Sequence, residues 1–403
     1  MALATLASGA LLATPGYQGD IAQFKAWSRR VALDGIASAY RVTGDFDPDH
    51  PPVPLYLYGL VGHAYQSLQD PSFDWHRALA SRAFTAGIKA LGVVFHLAAA
   101  ALLYVLVSRQ AGPGPGRIAC AAYALNPAVL YDVAHWGELD SLPGLLLVLA
   151  IGCVLDASIG LAGLWFGVAL MTKPQAWALL PVFLVADLRS GVRAFGRALA
   201  STLTGAIAPL VPFIVAGRMH EVLALPDRIR GGMPFATVDA HNFWWLATLG
   251  ANWERFRAYE PIWGPLTPRE VALLLLLGVT VLASLLVWRR GTTNISAAAA
   301  YLAFGWYMVT VQVHENHSFL ALPLLALVLH RARVHRVAFA VISSTLFVDL
   351  FLHSPEIWGS PTLESYGGRW WASMANTAAN LALFGYWTRR VIQWTERTDA
   401  SLA

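Results

Sequence analysis

The chain has 403 residues, of which 57% are hydrophobic and 13% charged, and it carries a formal net charge of +4 with a mean hydropathy of +0.52. That leaves too little polar surface to cover a water-soluble globule, and the apolar residues fall in runs about as long as a bilayer is thick. A soluble domain is therefore excluded and a polytopic membrane protein is expected, while the placement of Cys120 and Cys153 inside apolar runs excludes a disulfide framework or a cysteine-built zinc site.

In chain order, residues 2–15 (ALATLASGALLATP) come first. They are apolar but shorter than the ~20 residues of a usual span, and no charged leader precedes them, so they read as a short or truncated first membrane helix. Residues 16–81 are too apolar for a plain loop. Ile21, Phe24, Trp27 and Val31 recur at helical spacing, and after DPDHPPVP so do Leu55, Tyr58, Val61, Tyr65 and Leu68. Two amphipathic helices lying in the outer interface and roofing a cavity are expected there. Spans follow near 82–108, 118–134, 141–156, 158–172, 174–187, 198–216, 269–288, 296–313, 317–329, 336–353 and 370–388, with a second long segment at 217–268. The expected architecture is all-α: a single domain over residues 1–403, built as a membrane bundle of about 11–13 transmembrane helices.

Arginine placement orients the bundle. RQAGPGPGR (109–117), DLRSGVRAFGR (187–197), WRRG (288–291), HRARVHR (330–336) and WTRR (387–390) fall on one side when the spans are threaded alternately. That side is expected to be cytoplasmic, and the C-terminus with it. The acids and histidines near membrane depth then gather on the opposite, extracytoplasmic face, and such residues are functional-site hypotheses by default.

Four clusters carry chemistry. In GYQGDIAQFKAW, Asp20 and Gln23 have capping-box spacing, so Asp20 reads first as a helix cap, a role compatible with a carboxylate able to accept a proton. In NPAVLYDVAHWGELDSLPG, Asp132 reads equally as solvated turn chemistry, whereas His135, Glu138 and Asp140 beside Trp136 read as a site lining. In MTKPQAW, Pro174 breaks the helix next to Lys173 and Gln175. Lysine occurs only at 25, 89 and 173, so an anion-binding Lys173 is favoured over one that merely snorkels. In VQVHENHSFLALP, His314 and His317 share a helical face beside Glu315. The pair could chelate a metal, but HENH is not the HExxH of zinc proteases, and imidazoles that hydrogen-bond a phosphate suit the same spacing.

The ordered set GD…W, HPP-x-PLY, NP…D-x-x-HWGELDSL, KPQ and VHENH resembles the integral-membrane GT-C glycosyltransferases over about residues 16–330. Within them it is similar to the endoplasmic-reticulum dolichyl-phosphate-glucose-dependent glucosyltransferases of N-glycan assembly and their bacterial relatives. Those enzymes carry YPP, D-x-x-HFQYN, a lysine-containing segment and VHEK in the same order. Here HWGELD stands in place of HFQYN, and Asn316 and His317 follow Glu315.

The resemblance implies inverting transfer of a hexose, such as mannose or glucose, from a polyprenyl-phosphate sugar to a lipid-linked glycan or glycolipid acceptor at the outer face of a bacterial plasma membrane. It implies no cofactor, no required metal and no nucleic-acid partner. Under it Asp20 is the general base, His50 lies in the HPP motif of the substrate site, and His135, Glu138 and Asp140 line that site. Lys173, Gln175, His314, Glu315 and His317 meet the donor phosphate, with Arg230 and Arg369 as further cations. Two other classes remain open: a transporter or flippase for a lipid-linked sugar, which would be expected to show repeated halves and polar groups on both sides, and a scaffold without chemistry.

Overall fold

A computed structural model describes residues 1–44, 46–250, 256–262, 264–354 and 366–396. Among these the structure is helical, without a strand; an isolated bridge pairs Phe235 with Arg257. The order is α1 (Ala2–Leu12), α2 (Gln18–Asp34), α3 (Pro52–Leu68), α4 (Trp75–Ala80), α5 (Arg82–Ala111), α6 (Pro113–Ala124) and α7 (Pro127–Leu130), then α8 (Ser141–Leu155), α9 (Ile159–Leu170), α10 (Leu180–Arg189) and α11 (Val192–Ile207). There follow α12 (Val211–Val215), α13 (Met219–Leu223), α14 (Leu225–Gly232), α15 (Phe243–Ala247), α16 (Pro268–Arg290), α17 (Ile295–Val309), α18 (Ala321–Ala326), α19 (Arg333–Leu352) and α20 (Tyr366–Glu396).

Four stretches, Arg82–Ala111, Val192–Val215, Pro268–Arg290 and Arg333–Leu352, are long and apolar enough to cross a membrane. Other expected spans are shorter or broken. The run expected at 118–134 stops at Asn126, whose side chain caps α7, and continues as a π-helical turn over Tyr131–Trp136. The run at 174–187 begins as a 3₁₀ turn, Pro174–Leu179, because Pro174 and the extended Lys173 cannot continue α9. The run at 317–329 is broken: it starts at the end of a 3₁₀ turn, and only Ala321–Ala326 is α-helical. Of the loop expected at 354–369, residues 355–365 lie outside the described residues, as do 251–255 of the long segment 217–268.

Sequence sets the helix ends. Ser81 caps α5 by accepting from the Phe84 amide, and Gly112 at φ +91° ends it. Thr267 and Glu270 form a complete capping box on α16. Small residues set the closest helix packing. A Cβ on Gly167 would sit 2.1 Å from the Thr202 carbonyl oxygen and one on Gly205 2.3 Å from that of Leu164, so α9 and α11 meet backbone to backbone. Gly62 of α3 meets the Ser28 carbonyl of α2 in the same way, at 2.3 Å, which locks those two helices together.

Two of the three lysines close helix junctions. Lys25 Nζ donates to the Leu79 and Ser81 carbonyls at 2.8 and 3.1 Å, tying α2 to the start of α5. Lys89 Nζ donates to the Leu11 and Thr14 carbonyls at 2.7 and 2.9 Å, satisfying acceptors at the end of α1.

The long helices join two ends of unlike chemistry. At one, Arg331 reaches the Thr293 carbonyl and Gln110, Arg189 the Trp288 carbonyl, and Arg289 and Arg290 the carbonyls of Thr395 and Trp394. The arginine-rich segments are thus laced together. From there α17 runs up to Val309, α16 leads back to Pro268 and α19 runs to Leu352, and these far ends border the histidines and carboxylates.

Candidate functional site

Two adjoining cavities occupy the end opposite the arginines. The first, of about 300 Å³, is polar: Asp20, Asp49, His50, Glu138, Lys173 and Glu315 face it. The second, of about 480 Å³, is largely apolar, with Ala272, Leu273, Leu276 and Trp306 on one wall and Arg228 and Arg269 also lining it. Asp49, His50, Met233, His314 and His317 line both, so the imidazoles stand at the junction of a polar and an apolar space.

Asp20 lies in the first turn of α2 but is not its cap; that position belongs to Tyr17, so the capping-box expectation fails. Instead its Oδ2 accepts a 2.8 Å hydrogen bond from Trp136 Nε1. Tyr17 stacks on the same indole with ring centroids 4.3 Å apart, and its amide donates to the Trp136 carbonyl at 3.0 Å. The approach needs glycines. Gly16, at φ +80°, would put a Cβ 3.0 Å from the Trp136 carbonyl oxygen, and Gly137, at φ +109°, would put one 2.7 Å from Ile21. Burial, with the Glu138 charge adding to it, pushes the Asp20 carboxyl well above the usual range.

Glu138, Asp140 and Lys173 form a closed ionic knot. Lys173 Nζ sits 2.6 Å from Glu138 Oε2 and 2.5 Å from Asp140 Oδ1. Asn316 Nδ2 donates to Asp140 Oδ2 at 2.9 Å, joining the knot to the HENH turn. Lys173 is thus the counter-ion of two carboxylates rather than the free anion-binding cation its rarity suggests. Asp140 is buried behind the knot, while Glu138 and Lys173 reach the polar cavity.

The HENH turn is a 3₁₀ turn over Glu315–Ser318. His317 Nδ1 accepts the His314 backbone N–H at 3.2 Å, which leaves the other ring nitrogen, Nε2, as the polar end of this imidazole that is not held by the turn. This does not make the side-by-side chelating pair that i, i+3 spacing on a helix allows. His314 Nδ1 lies 3.8 Å from Glu315 Oε2. Burial works against a charged His314, but Glu315, with Asp20 and Asp49 adding to it, raises the imidazole above its ordinary value.

His50 is held by Asp49, with Nδ1 to Oδ1 at 2.7 Å, and its carbonyl accepts from Tyr40 at 2.6 Å. Asp49 also accepts from Gln23 Nε2 at 3.4 Å. Burial alone would raise Asp49, yet His50, with His314 and a backbone hydrogen bond adding to it, holds the carboxyl below its ordinary range. Gln175 lines the apolar cavity and leaves Oε1 without a hydrogen bond.

Besides Asp140, three expected site residues do not face either cavity. His135 packs on Tyr131 at 4.6 Å with Nε2 buried and unbonded, because the π-helical turn that brings Trp136 to Asp20 swings His135 away. Arg230 is half exposed and pairs with Asp227 at 3.4 Å. Two positions along a helix is just over half a turn, so Arg228 takes the cavity side and donates to the Pro48 and Tyr40 carbonyls at 2.9 and 3.0 Å. Arg369 stands behind His353, 3.3 Å from its Nδ1, and His353 itself lines the polar cavity. Asp132 is fully buried with neither carboxylate oxygen hydrogen-bonded.

Sequence reasoning missed Asp49, Arg228, Arg269, Asp239 and His353. Asp49 adjoins a motif already singled out, but the others come from segments with no local signal and reach the site only through the tertiary fold. No protein-family model matches the chain, and no curated protein matches it.

Proposed function

We propose that the chain is an inverting glycosyltransferase that moves a sugar from a polyprenyl-phosphate donor to a lipid-linked glycan or glycolipid acceptor at the extracytoplasmic face of a membrane. The observation that carries this reading is the pairing of cavities: a carboxylate with a raised pKa in a polar space, separated by imidazoles from an apolar space walled by α16. The outer side of α16 exposes Leu274, Leu277 and Val281, as a lipid-facing helix does. A sugar suits the first space, an isoprenoid chain the second, and a phosphate the imidazoles between them. The laced arginine end is cytoplasmic by the positive-inside rule, which puts both cavities outside and makes α2 and α3 an interfacial roof.

The acceptor hydroxyl oxygen attacks the anomeric carbon from the face opposite the phosphate, and its proton passes to Asp20. The bond between the anomeric carbon and the phosphate oxygen breaks, and its electron pair stays on that oxygen. Charge developing there is met by His314, His317 and His50, with Gln175 and Arg228 beyond them. The Trp136 N–H keeps Asp20 oriented, and Lys173 neutralises the acidic wall that would otherwise repel the phosphate.

Reconstituted protein offered a panel of polyprenyl-phosphate sugars with a short lipid-linked glycan acceptor tests the proposal. Glycosylated acceptor and free polyprenyl phosphate in equal amounts are expected for one member of the panel. Movement of the intact donor between leaflets with no transfer would replace this reading by a flippase.

A further inference from the structure

Behind the polar cavity, three side chains converge that the transfer reaction does not use. Asp349 and His353 stand four residues apart at the end of α19, in DLFLH, and so share one face. His241 comes to them from the loop before α15. One ligand atom from each lies within 4.8 Å of the others, the only such group among the described residues. His241 Nε2 is 3.3 Å from His353 Nε2, and Asp349 Oδ1 is 3.6 Å from His353 Nε2. An edge of a tetrahedron drawn around zinc with Zn–N bonds of about 2.0–2.1 Å measures roughly 3.3–3.4 Å. The two nitrogens are therefore spaced as ligands of one ion.

The surroundings are arranged as a second shell. Asp349 Oδ2 is held by the Tyr307 hydroxyl at 2.8 Å and the His241 backbone N–H at 3.1 Å, while Asp349 Oδ1, buried in a residue only 1% exposed, makes no hydrogen bond. Its near neighbours are His353 Nε2 and His241 Nδ1, the latter at 3.2 Å. Asp239 Oδ1 lies 3.4 Å from His353 Nδ1, the carboxylate–histidine arrangement that orients a ligating Nε2. Asn376 Nδ2 lies 2.8 Å from His241 Nδ1 and donates to the Thr345 carbonyl at 2.9 Å, which fixes the ring without accepting from it, and Asn380 Nδ2 donates to the His241 carbonyl at 2.9 Å. Trp245 packs on both rings, with centroids 5.2 and 5.8 Å away. Arg369 reaches His353 Nδ1, but two carboxylates against one guanidinium leave a net negative site, which suits a dication.

We propose that His241, Asp349 and His353 bind a divalent transition-metal ion, zinc by ligand preference, that pins the loop carrying Asp239 to α19 and closes the back wall of the polar cavity. Two imidazoles and a carboxylate leave a fourth position, as in three-ligand zinc sites. The ion is not part of the transfer chemistry, and its presence is read without any glycosyl donor.

The test is metal content. Purified protein stripped with a chelator is dialysed against buffered zinc, and bound metal is counted by plasma mass spectrometry; cobalt is then substituted and its visible spectrum recorded. About one zinc per chain, displaceable by cobalt with bands of tetrahedral strength, is expected. His353→Gln is expected to weaken zinc binding at least about tenfold, with His220→Gln on α13 as the unchanged control. Zinc should raise the melting temperature of the wild type and not of His353→Gln. Wild type that takes up no zinc, or His353→Gln that binds it as wild type does, would overturn the proposal and leave a pair of imidazoles sharing one proton. Because the wild-type titration decides by itself, a variant that fails to fold changes nothing.

Discussion

The Trp136 indole N–H points at Asp20 Oδ2 across 2.8 Å, joining two residues 116 positions apart in the chain. A hydrogen bond to the ionised form lowers a carboxyl pKa, so the indole opposes the upward push of burial and of Glu138. The pair sets both the direction and the protonation of the proposed base.

Two substitutions separate those effects. Asp20→Asn removes the base and should lower transfer by about 10²–10⁴-fold while donor binding persists. Trp136→Phe keeps the base but removes its hydrogen bond. A charge-assisted bond contributes about 1.5–3 kcal/mol, so losing it should raise the Asp20 pKa further. The active form is the carboxylate, which is lost as pH falls through the folded pKa, so the acid limb of the kcat/KM profile should move to higher pH in Trp136→Phe. Donor binding measured alongside keeps the two steps apart. Asp20→Asn that turns over within a few-fold of wild type refutes the base.

Lys173 should reveal itself through stability before activity. Removing it leaves Glu138 and Asp140 buried without a counter-charge, and breaking a buried pair costs about 3–5 kcal/mol. Lys173→Met should therefore melt well below wild type, and the triple variant Lys173→Met/Glu138→Gln/Asp140→Asn should recover much of the loss. If Lys173 instead bound the donor phosphate, Lys173→Met would melt normally and lose donor affinity. The same knot predicts that added Mg²⁺ leaves transfer unchanged, because the nearest pair of carboxylates already holds an ammonium.

What was legible in the sequence divides along physical lines. Composition and apolar runs carry the helical, membrane-compatible character, since those signals are local and periodic. Asp20, Glu138, Lys173, Glu315 and the imidazoles of His50, His314 and His317 were legible as ionisable groups out of place in apolar surroundings, and they do meet at one cavity. Their partners were not. That Lys173 is bound to Glu138 and Asp140, or that His135 turns away while Trp136 turns in, depends on a π-helical turn and a broken helix that periodicity does not report. The choice between Arg228 and Arg230 required knowing which face of α14 meets the cavity. The cluster of His241, Asp349 and His353 joins segments more than 100 residues apart, and no spacing rule connects them.

Arg228 and Arg230 give a paired test of the apolar cavity. Arg228→Ala should raise the KM for the polyprenyl-phosphate donor by about tenfold with a smaller change in kcat, as expected when a charge met in both ground and transition states is removed. Arg230→Ala should stay within about twofold of wild type, since an exposed i, i+3 pair with Asp227 contributes little. Because Arg228 also ties Pro48 to Tyr40, Arg228→Lys belongs in the set: normal melting with a raised KM assigns the effect to the donor. Equal effects of Arg228→Ala and Arg230→Ala on donor KM would remove Arg228 from the phosphate path.

The HENH turn should separate its residues by the kind of damage each substitution does. His317 holds the turn through Nδ1, which accepts the His314 amide, so only its other nitrogen is left for a phosphate. His317→Ala should lose both roles and lower the melting temperature. His317→Asn, whose side-chain oxygen can still accept the amide, should melt near wild type while donor affinity falls. His314 heads the same turn, whose reciprocal capping box sets its side chain against the His317 amide, so His314→Asn, which keeps an acceptor for that amide, is made beside His314→Ala: melting near wild type is expected for His314→Asn, with donor use weakened by about ten- to a hundredfold in both, the range for one or two hydrogen bonds to a charged group. Glu315 repels a phosphate by charge but raises His314 by the same charge. Glu315→Gln keeps the shape and loses the charge, so it should be milder than Glu315→Ala and should shift the pH at which donor binding falls to lower values, because His314 then titrates lower and loses its proton earlier as pH rises. Size-exclusion profiles, melting curves and donor titrations on these variants read the outcomes. Monodisperse His314→Ala that binds donor as tightly as wild type would take the imidazole out of the phosphate site.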